Sequence, residues 1–322
     1  MLILSRLKKV VLDVKVVMKM ILLSSFLVSL IGLYEKFINP DIINLYKLSY
    51  DTVFKNLGIP GFERVRIAST LGNPINLGVF LDLGILSSIF FIETSNKKTV
   101  KLLCGLFIPL FIFVILLTLS RTAFGSSLLI LAFYTIYKIY TTKSSFKKTI
   151  FLSLISLSII FFMITIYNAN EGSLILLRIL QSVDTSYIGQ DPRLEKWDTI
   201  MDQMSENIFY LLFGMGLGNS GTSGLSGNYI IIENAYLSIL YELGLIGLFL
   251  FITIIFIFLT NTLIIHKKII DPNLKSFALV SLLYLFAYLF AGLFMDIHIN
   301  NPFSFYFWLF LALILSYKKI YL

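Results

Sequence analysis

Charge is what this sequence has least of. Only 14% of its 322 residues are Asp, Glu, Lys or Arg, against 57% hydrophobic, and the mean hydropathy is +0.89. A soluble domain carries about a quarter charged residues, so a water-soluble globule is excluded. Cysteine is as scarce. Cys104 stands alone, which rules out an internal disulfide, and with only His266 and His298 as histidines no Cys/His cluster has metal-ligand spacing. Cys104 is expected to be a small packing residue, and neither histidine has a partner in sequence that would give it a task. A cleavable signal peptide is also missing from the N-terminal stretch, so the first apolar run reads as the first span. The net charge of +8 is scattered through short inter-span loops. That pattern sets membrane orientation and argues against nucleic acid as a partner.

Long apolar runs are what the sequence has in abundance. A spanning helix takes roughly 20 apolar residues, and hydropathy gives about eight spans, near residues 15–34, 71–92, 101–119, 122–139, 149–167, 234–259, 276–295 and 303–317. The expected fold is an all-α polytopic membrane protein, residues 1–322 forming a single transmembrane domain. Lysines crowd alternate connections: Lys97, Lys98 and Lys101, then Lys138, Lys143, Lys147 and Lys148, then Lys267, Lys268 and Lys275. Arg6, Lys8, Lys9, Lys15 and Lys19 lead into the first span, and Lys318 and Lys319 follow the last. The positive-inside rule therefore places both termini in the cytoplasm.

The connections expected outside differ in chemistry. Every arginine except Arg6 falls there: Arg64, Arg66, Arg121, Arg178 and Arg193. A lysine point charge suffices to hold a loop against an anionic leaflet, whereas the planar arginine fork grips phosphate oxygens in pairs. Two outside connections are long, 35–70 and 168–233, and the latter is the large external loop; such loops usually carry function. Within it, Ser173–Gln181 reads as an interfacial helix. Asp191-Pro192-Arg193 reads as a helix start, with Arg193 in the first turn, where free amides favour an anion. Arg193, Trp197, Ile200 and Met204 share one face of that helix by their spacing. The glycine-rich run from Phe213 to Gly227 has no preceding strand and no downstream acid, so a dinucleotide loop is excluded and a flexible loop is expected.

Several polar residues sit where the membrane makes them costly. Ser120-Arg121-Thr122 interrupts the apolar stretch between spans three and four, and is either a snorkelling turn or one arm of a phosphate clamp. Glu233-Asn234 opens span six, where the carboxylate is either a helix cap or a general base. Asp82 and Glu242 fall inside spans, as functional acids or as hydrogen-bond partners of a neighbouring helix. Asp296 and His298 flank the outer end of span seven and are placed to line the same cavity.

Together these motifs resemble the O-antigen polymerase and O-antigen ligase family of bacterial membrane glycosyltransferases. The resemblance rests on Arg66 with Gly72-Asn73-Pro74, on Thr118-Leu119-Ser120-Arg121, on Arg193 and Trp197 followed by Leu212-Phe213-Gly214-Met215-Gly216, and on Glu233-Asn234-Ala235-Tyr236-Leu237 followed by Glu242-Leu243-Gly244-Leu245-Ile246-Gly247. It runs from about residue 15 to the C-terminus. Family members carry further N-terminal spans, so the chain is expected to be a compact or N-terminally truncated member. Family ligases are thought to use a histidine just before the asparagine, where this chain has Glu233, and that tilts the expectation toward polymerase. The resemblance implies an undecaprenyl-diphosphate-linked oligosaccharide as donor and acceptor, and inverting transfer without metal or other cofactor. It also implies a site on the outer face of the bacterial cytoplasmic membrane, embedded among membrane lipids, with other polysaccharide-assembly proteins as admissible partners. Arg121, Arg193 and Glu233 would be catalytic, and Arg66, Asn73, Asn234, Tyr236 and Trp197 would bind substrate. A ligase, or a transporter or flippase without catalysis, is the alternative; the latter commonly shows internal repeats, and none is evident.

Overall fold

The computed structural model describes residues 13–40, 42, 66–141, 192–220, 231–299 and 302–321. Among these the regular structure is helical: α1 (Val14–Phe37), a 3-10 turn (Ser69–Leu71), α2 (Pro74–Thr94), α3 (Lys98–Leu117), α4 (Arg121–Thr141), α5 (Pro192–Ser205), α6 (Ile208–Phe213), α7 (Ala235–Lys268), α8 (Pro272–Gly292) and α9 (Phe303–Tyr321). All but α5 and α6 are long and apolar enough to cross a membrane, which gives seven candidate spans. The chain is thus a polytopic α-helical membrane protein. The expected fifth span (149–167), the interfacial helix Ser173–Gln181, Arg64, Arg178 and Asp191 lie outside the described residues.

Two compact units divide the chain. The described residues of the first are 13–40, 42, 66–141 and 270–287; those of the second are 192–220, 231–269, 288–299 and 302–321.

In the first unit α2 is the core element, buried along most of its length, with α1, α3 and α4 packed around it. Small residues let it be surrounded. A Cβ on Gly84 would stand 2.7 Å from Ser25 Cβ of α1 and 2.9 Å from Phe111 Cε2 of α3, and one on Gly78 would stand 2.4 Å from Ala123 Cβ of α4. Close approach of this kind is how spans associate where water supplies no driving force. Asp82, buried in α2, accepts a hydrogen bond of 2.5 Å from Ser126 Oγ of α4, so of its two sequence readings the structure supports the helix-bridging one. At the other end of these helices Glu93 takes Lys138 Nζ at 2.7 Å and also accepts from Tyr134. Cys104 is buried and free.

In the second unit α7 is the long element. Its 34 residues would measure about 51 Å as one straight helix at 1.5 Å per residue, well beyond the expected 234–259. Gly244 breaks it, with φ +67° and ψ −170°. The part beyond Gly244 is about 36 Å long, enough alone to cross a hydrocarbon core of roughly 30 Å. Its flanks carry exposed Phe249, Leu250, Ile252 and Phe256, a surface suited to lipid. Phe258 packs edge-on against Phe307 of α9, and Lys318 Nζ donates to Asn261 Oδ1 at 2.6 Å.

The break at Gly244 is where the glycine-rich run docks. Gly214, at φ +78°, crosses it so closely that a Cβ on Gly214 would lie 2.3 Å from the Glu242 carbonyl, and a Cβ on Gly244 would lie 2.3 Å from the Leu212 carbonyl. The carbonyls freed by the kink are taken up at once: Met215 N–H donates to Tyr241 O at 2.7 Å and Gly216 N–H to Glu242 O at 3.1 Å. Residues 214–220 are therefore a pinned segment, which corrects the expectation of a flexible loop; residues 221–230 lie outside the described residues. The glycines serve close backbone approach, which composition alone does not distinguish from flexibility.

Gly244→Ala or Gly214→Ala should each destabilise the fold by about 3 kcal/mol, through left-handed strain and backbone overlap. Thermal melts of the purified protein in detergent would register this, and the double variant should lose less than the sum because one crossing is broken twice.

Candidate active site

Residues singled out by the sequence fall into two groups, one in each compact unit. In the first unit, Arg66 Nε donates to Thr118 O at 2.9 Å, and Ile67 N–H donates to Leu117 O at 3.4 Å. The segment of Arg66 is thereby docked on the Thr118–Arg121 turn. That turn closes on itself: Ser120 N–H donates to Thr118 Oγ1 at 3.2 Å and Ala123 N–H to Ser120 Oγ at 3.3 Å. Arg121, the first residue of α4, is exposed. Asn73 caps α2, its Oδ1 accepting from Ile75 N–H at 2.8 Å, with Pro74 at the first helical position, where a missing N–H costs nothing.

Glu35, to which the sequence reading gave no role, orders this segment. Its carboxylate, only 5% exposed, accepts from the successive N–H groups of Ala68 (3.2 Å) and Ser69 (2.7 Å). Ser69 is left-handed, at φ +50°, and its Oγ donates to Val28 O at 2.8 Å. An acid near the end of an apolar span was the available signal.

In the second unit, α5 lays one face on α7, as its spacing required. Ile200 and Met204 are fully buried with Ile232, Leu240 and Tyr241, and Trp197 packs beside them. Trp197 Nε1 donates to Ile232 O at 2.9 Å. One turn earlier, Arg193 Nε meets Glu233 Oε2 at 2.5 Å, the two side chains 24% and 29% exposed. Asn234 caps α7, accepting from Tyr236 N–H (3.0 Å) and Leu237 N–H (3.1 Å), and Tyr236 Oη donates to Leu289 O at 2.8 Å. Arg193, Trp197, Glu233, Asn234 and Tyr236 are thus one constellation around the start of α7. Glu242 has a different task from either sequence reading: its Oε1 accepts from Ser220 Oγ (2.7 Å), Ser220 N–H (3.0 Å) and Gly218 N–H (3.2 Å). It anchors the glycine segment instead of bridging to a neighbouring span.

Asp296 and His298 belong to the turn after α8 and complete the electrostatics of this unit. Burial drives the Asp296 carboxyl up to about 6; the backbone N–H groups of Glu233 and Asn234 pull it back, and the charges of Glu233 and Glu242 push it further up. Burial takes His298 down to about 4 against the pull of Glu242, and its buried Nδ1 makes no hydrogen bond among the described residues. His298 is therefore a neutral imidazole near pH 7.

Three non-glycine residues have positive φ among the described residues: Ser69, Leu119 and Glu233. Each falls in one of the segments carrying Arg66 with Asn73, Arg121, or the Arg193 partner. Left-handed backbone costs on the order of 1 kcal/mol or more per residue, and strain of this kind gathers at functional sites.

This is a multi-pass membrane protein with arginine-bearing turns at the ends of its spans. Residues 105–252 match the model of the O-antigen ligase family, which is consistent with the resemblance that the motifs carry. Members are glycosyltransferase-like enzymes of the bacterial envelope that act on lipid-linked glycans. The match takes in Arg121, Arg193, Glu233 and the Gly214–Gly244 crossing. No curated protein matches the sequence.

Removing the Glu242 carboxylate should release the glycine segment. Glu242→Ala leaves buried donors unsatisfied at a cost of about 3 kcal/mol, and hydrogen exchange at 214–220 should speed up while α9 stays protected. For Asp296, the folded pKa of about 6 lies above the ordinary 3.8, so its contribution is fully present below about pH 4 and lost as pH rises through 6. Relative to wild type, Asp296→Asn should therefore gain stability between pH 4 and 7, as read by melts at the two pH values.

Proposed function

We propose that the protein is a polysaccharide polymerase, joining undecaprenyl-diphosphate-linked repeat units at the outer face of the cytoplasmic membrane by metal-independent, inverting glycosyl transfer. The observation that carries this reading is the Arg193–Glu233 pair at the start of α7. It sets a phosphate-gripping fork against a proton acceptor, both partly open, inside the stretch that matches the family.

Arg193 holds the donor diphosphate. Arg193 stands in the first turn of α5, where helix amides and dipole already favour an anion. Diphosphate oxygens compete with Glu233 for the Arg193 guanidinium, so donor binding frees the Glu233 carboxylate as the acceptor arrives. The acceptor hydroxyl oxygen then attacks the anomeric carbon, and its proton passes to Glu233. The bond from that carbon to the lipid diphosphate breaks, and its electron pair leaves on the diphosphate oxygen, where the Arg193 guanidinium stabilises the growing charge. One displacement inverts the centre. Asn234, Tyr236 and Trp197 shape the sugar and diphosphate sites, and the apolar flanks of the spans accommodate polyprenyl tails.

Ligase activity is the second reading, favoured by the description of the matching family. Glu233, where family ligases are thought to place histidine, weighs against it.

The test is purified protein in detergent with a defined diphospholipid-linked repeat unit. Self-linked products of increasing length are expected. Transfer only to a lipid A-type acceptor would establish the ligase, and movement without bond formation a transporter. In that assay Arg193→Lys should lose at least roughly tenfold in rate although charge is kept, because the bidentate fork is lost. Glu233→Gln should lose on the order of a hundredfold or more. Full chain growth in Glu233→Gln would remove Glu233 from the mechanism.

A further inference from the structure

Glu233 occupies a backbone position that it would not adopt unaided. Its φ of +53° is left-handed, and the residue precedes α7, so helix geometry does not impose that angle. Its neighbours are already committed: the Asn234 side chain is spent on Tyr236 and Leu237, and Ile232 O is held by Trp197. The N–H groups of Glu233 and Asn234 both donate to the Asp296 carboxylate, on Oδ2, since its buried Oδ1 makes no hydrogen bond among the described residues.

Asp296 is well fixed for this task. It is 7% exposed, and it lies in a turn closed by Leu293 N–H on Phe290 O (3.1 Å), Phe294 N–H on Ala291 O (3.0 Å) and Ile299 N–H on Asp296 O (3.2 Å). That turn is keyed to the start of α7. A Cβ on Gly292 would touch Ala235 and Tyr236 at 3.5 Å, Tyr236 Oη reaches Leu289 O, and Ile297 is fully buried. A carboxylate is an expensive choice here. Burial disfavours its charge, and the surrounding carboxylates Glu233 and Glu242 repel it, with the neutral His298 the remaining titratable group in its own turn. An apolar side chain would be cheaper to bury. What it could not do is accept two successive N–H groups, the arrangement that stabilises a left-handed residue as an anion-binding nest.

We propose that Asp296 is a positioning residue: its carboxylate clamps the N–H groups of Glu233 and Asn234, holds Glu233 left-handed, and so aims the Glu233 side chain at Arg193. The proposal rests on the reading of Arg193 and Glu233 as the reactive pair. Residue 233 is then gripped from both sides, by Trp197 through the preceding carbonyl and by Asp296 through its own amide. Glu233 keeps a fixed direction while its carboxylate stays open.

The experiment uses the full chain in lipid nanodiscs, with Trp308→Phe on α9 leaving Trp197 as the reporter. Asp296→Leu, which removes every acceptor, should shift Trp197 emission to the red and raise its quenching by acrylamide. It should also lower kcat roughly tenfold, the penalty for an ångström-scale misplacement, with KM for the lipid-linked donor unchanged within about twofold. In a Glu233→Gln background the same substitution should have little further effect, because Asp296 acts through Glu233. Unchanged Trp197 fluorescence, or an equal loss of rate in both backgrounds, would overturn the proposal. A fluorescence shift with unaltered polymerisation would instead keep the clamp and remove Glu233 from the chemistry. Hydrogen exchange on the wild type covers the case in which the variant does not fold. The amides of Glu233 and Asn234 should be as protected as the first turn of α7, and exchange at the rate of an open loop would count against the clamp.

Discussion

A chain that leaves helical geometry at the edge of a bilayer must still satisfy every backbone N–H and C=O it exposes. Buried carboxylates meet that constraint repeatedly in this protein. Glu35 accepts from Ala68 and Ser69, Asp296 from Glu233 and Asn234, and Glu242 from Gly218 and Ser220. The device recurs separately in both compact units. In two of the three cases the clamped pair includes a left-handed, non-glycine residue, followed closely by an asparagine that caps the next span.

That constraint explains why Glu35, Glu242 and Asp296 are buried. A soluble enzyme would leave such turns to water. Where water is excluded, an ionised or ionisable acceptor is stronger because the surroundings screen less, and more costly for the same reason. The strain at Ser69, Leu119 and Glu233 is thus held by specific bonds, and the side chains presented from those turns inherit the rigidity of the helices on either side.

Much of the fold was legible in the sequence because hydropathy is a local signal. The spans at 15–34, 71–92 and 303–317 match their helices to within a few residues, and the buried face of α5 follows from the spacing of Trp197, Ile200 and Met204 alone. Other features depend on pairings that periodicity does not carry. The docking of Gly214 on Gly244 makes a rigid crossing out of a composition that reads as flexible. The extension of α7 to Lys268 and the break at Gly244 leave no mark in the hydropathy. Arg193 was recognisable from its helix start, but the contact with Glu233, 40 residues away, was not. Glu35 and Asp296 escaped for the same reason: each acts on backbone far along the chain, and an acid bound to backbone leaves no side-chain partner to look for.

The broken helix α7 has a mechanical consequence. Since the portion beyond Gly244 is by itself long enough to bridge the hydrocarbon, residues 235–243 are surplus to crossing and form a post about 13 Å tall. Glu233 is mounted at its tip, and the Gly214 crossing braces its foot. The distance of the carboxylate from the kink is therefore set by helix rise and not by loop conformation. A thicker or thinner membrane would tilt or sink the whole mount together, so lipid length becomes a control on how far the pair stands from the headgroup plane.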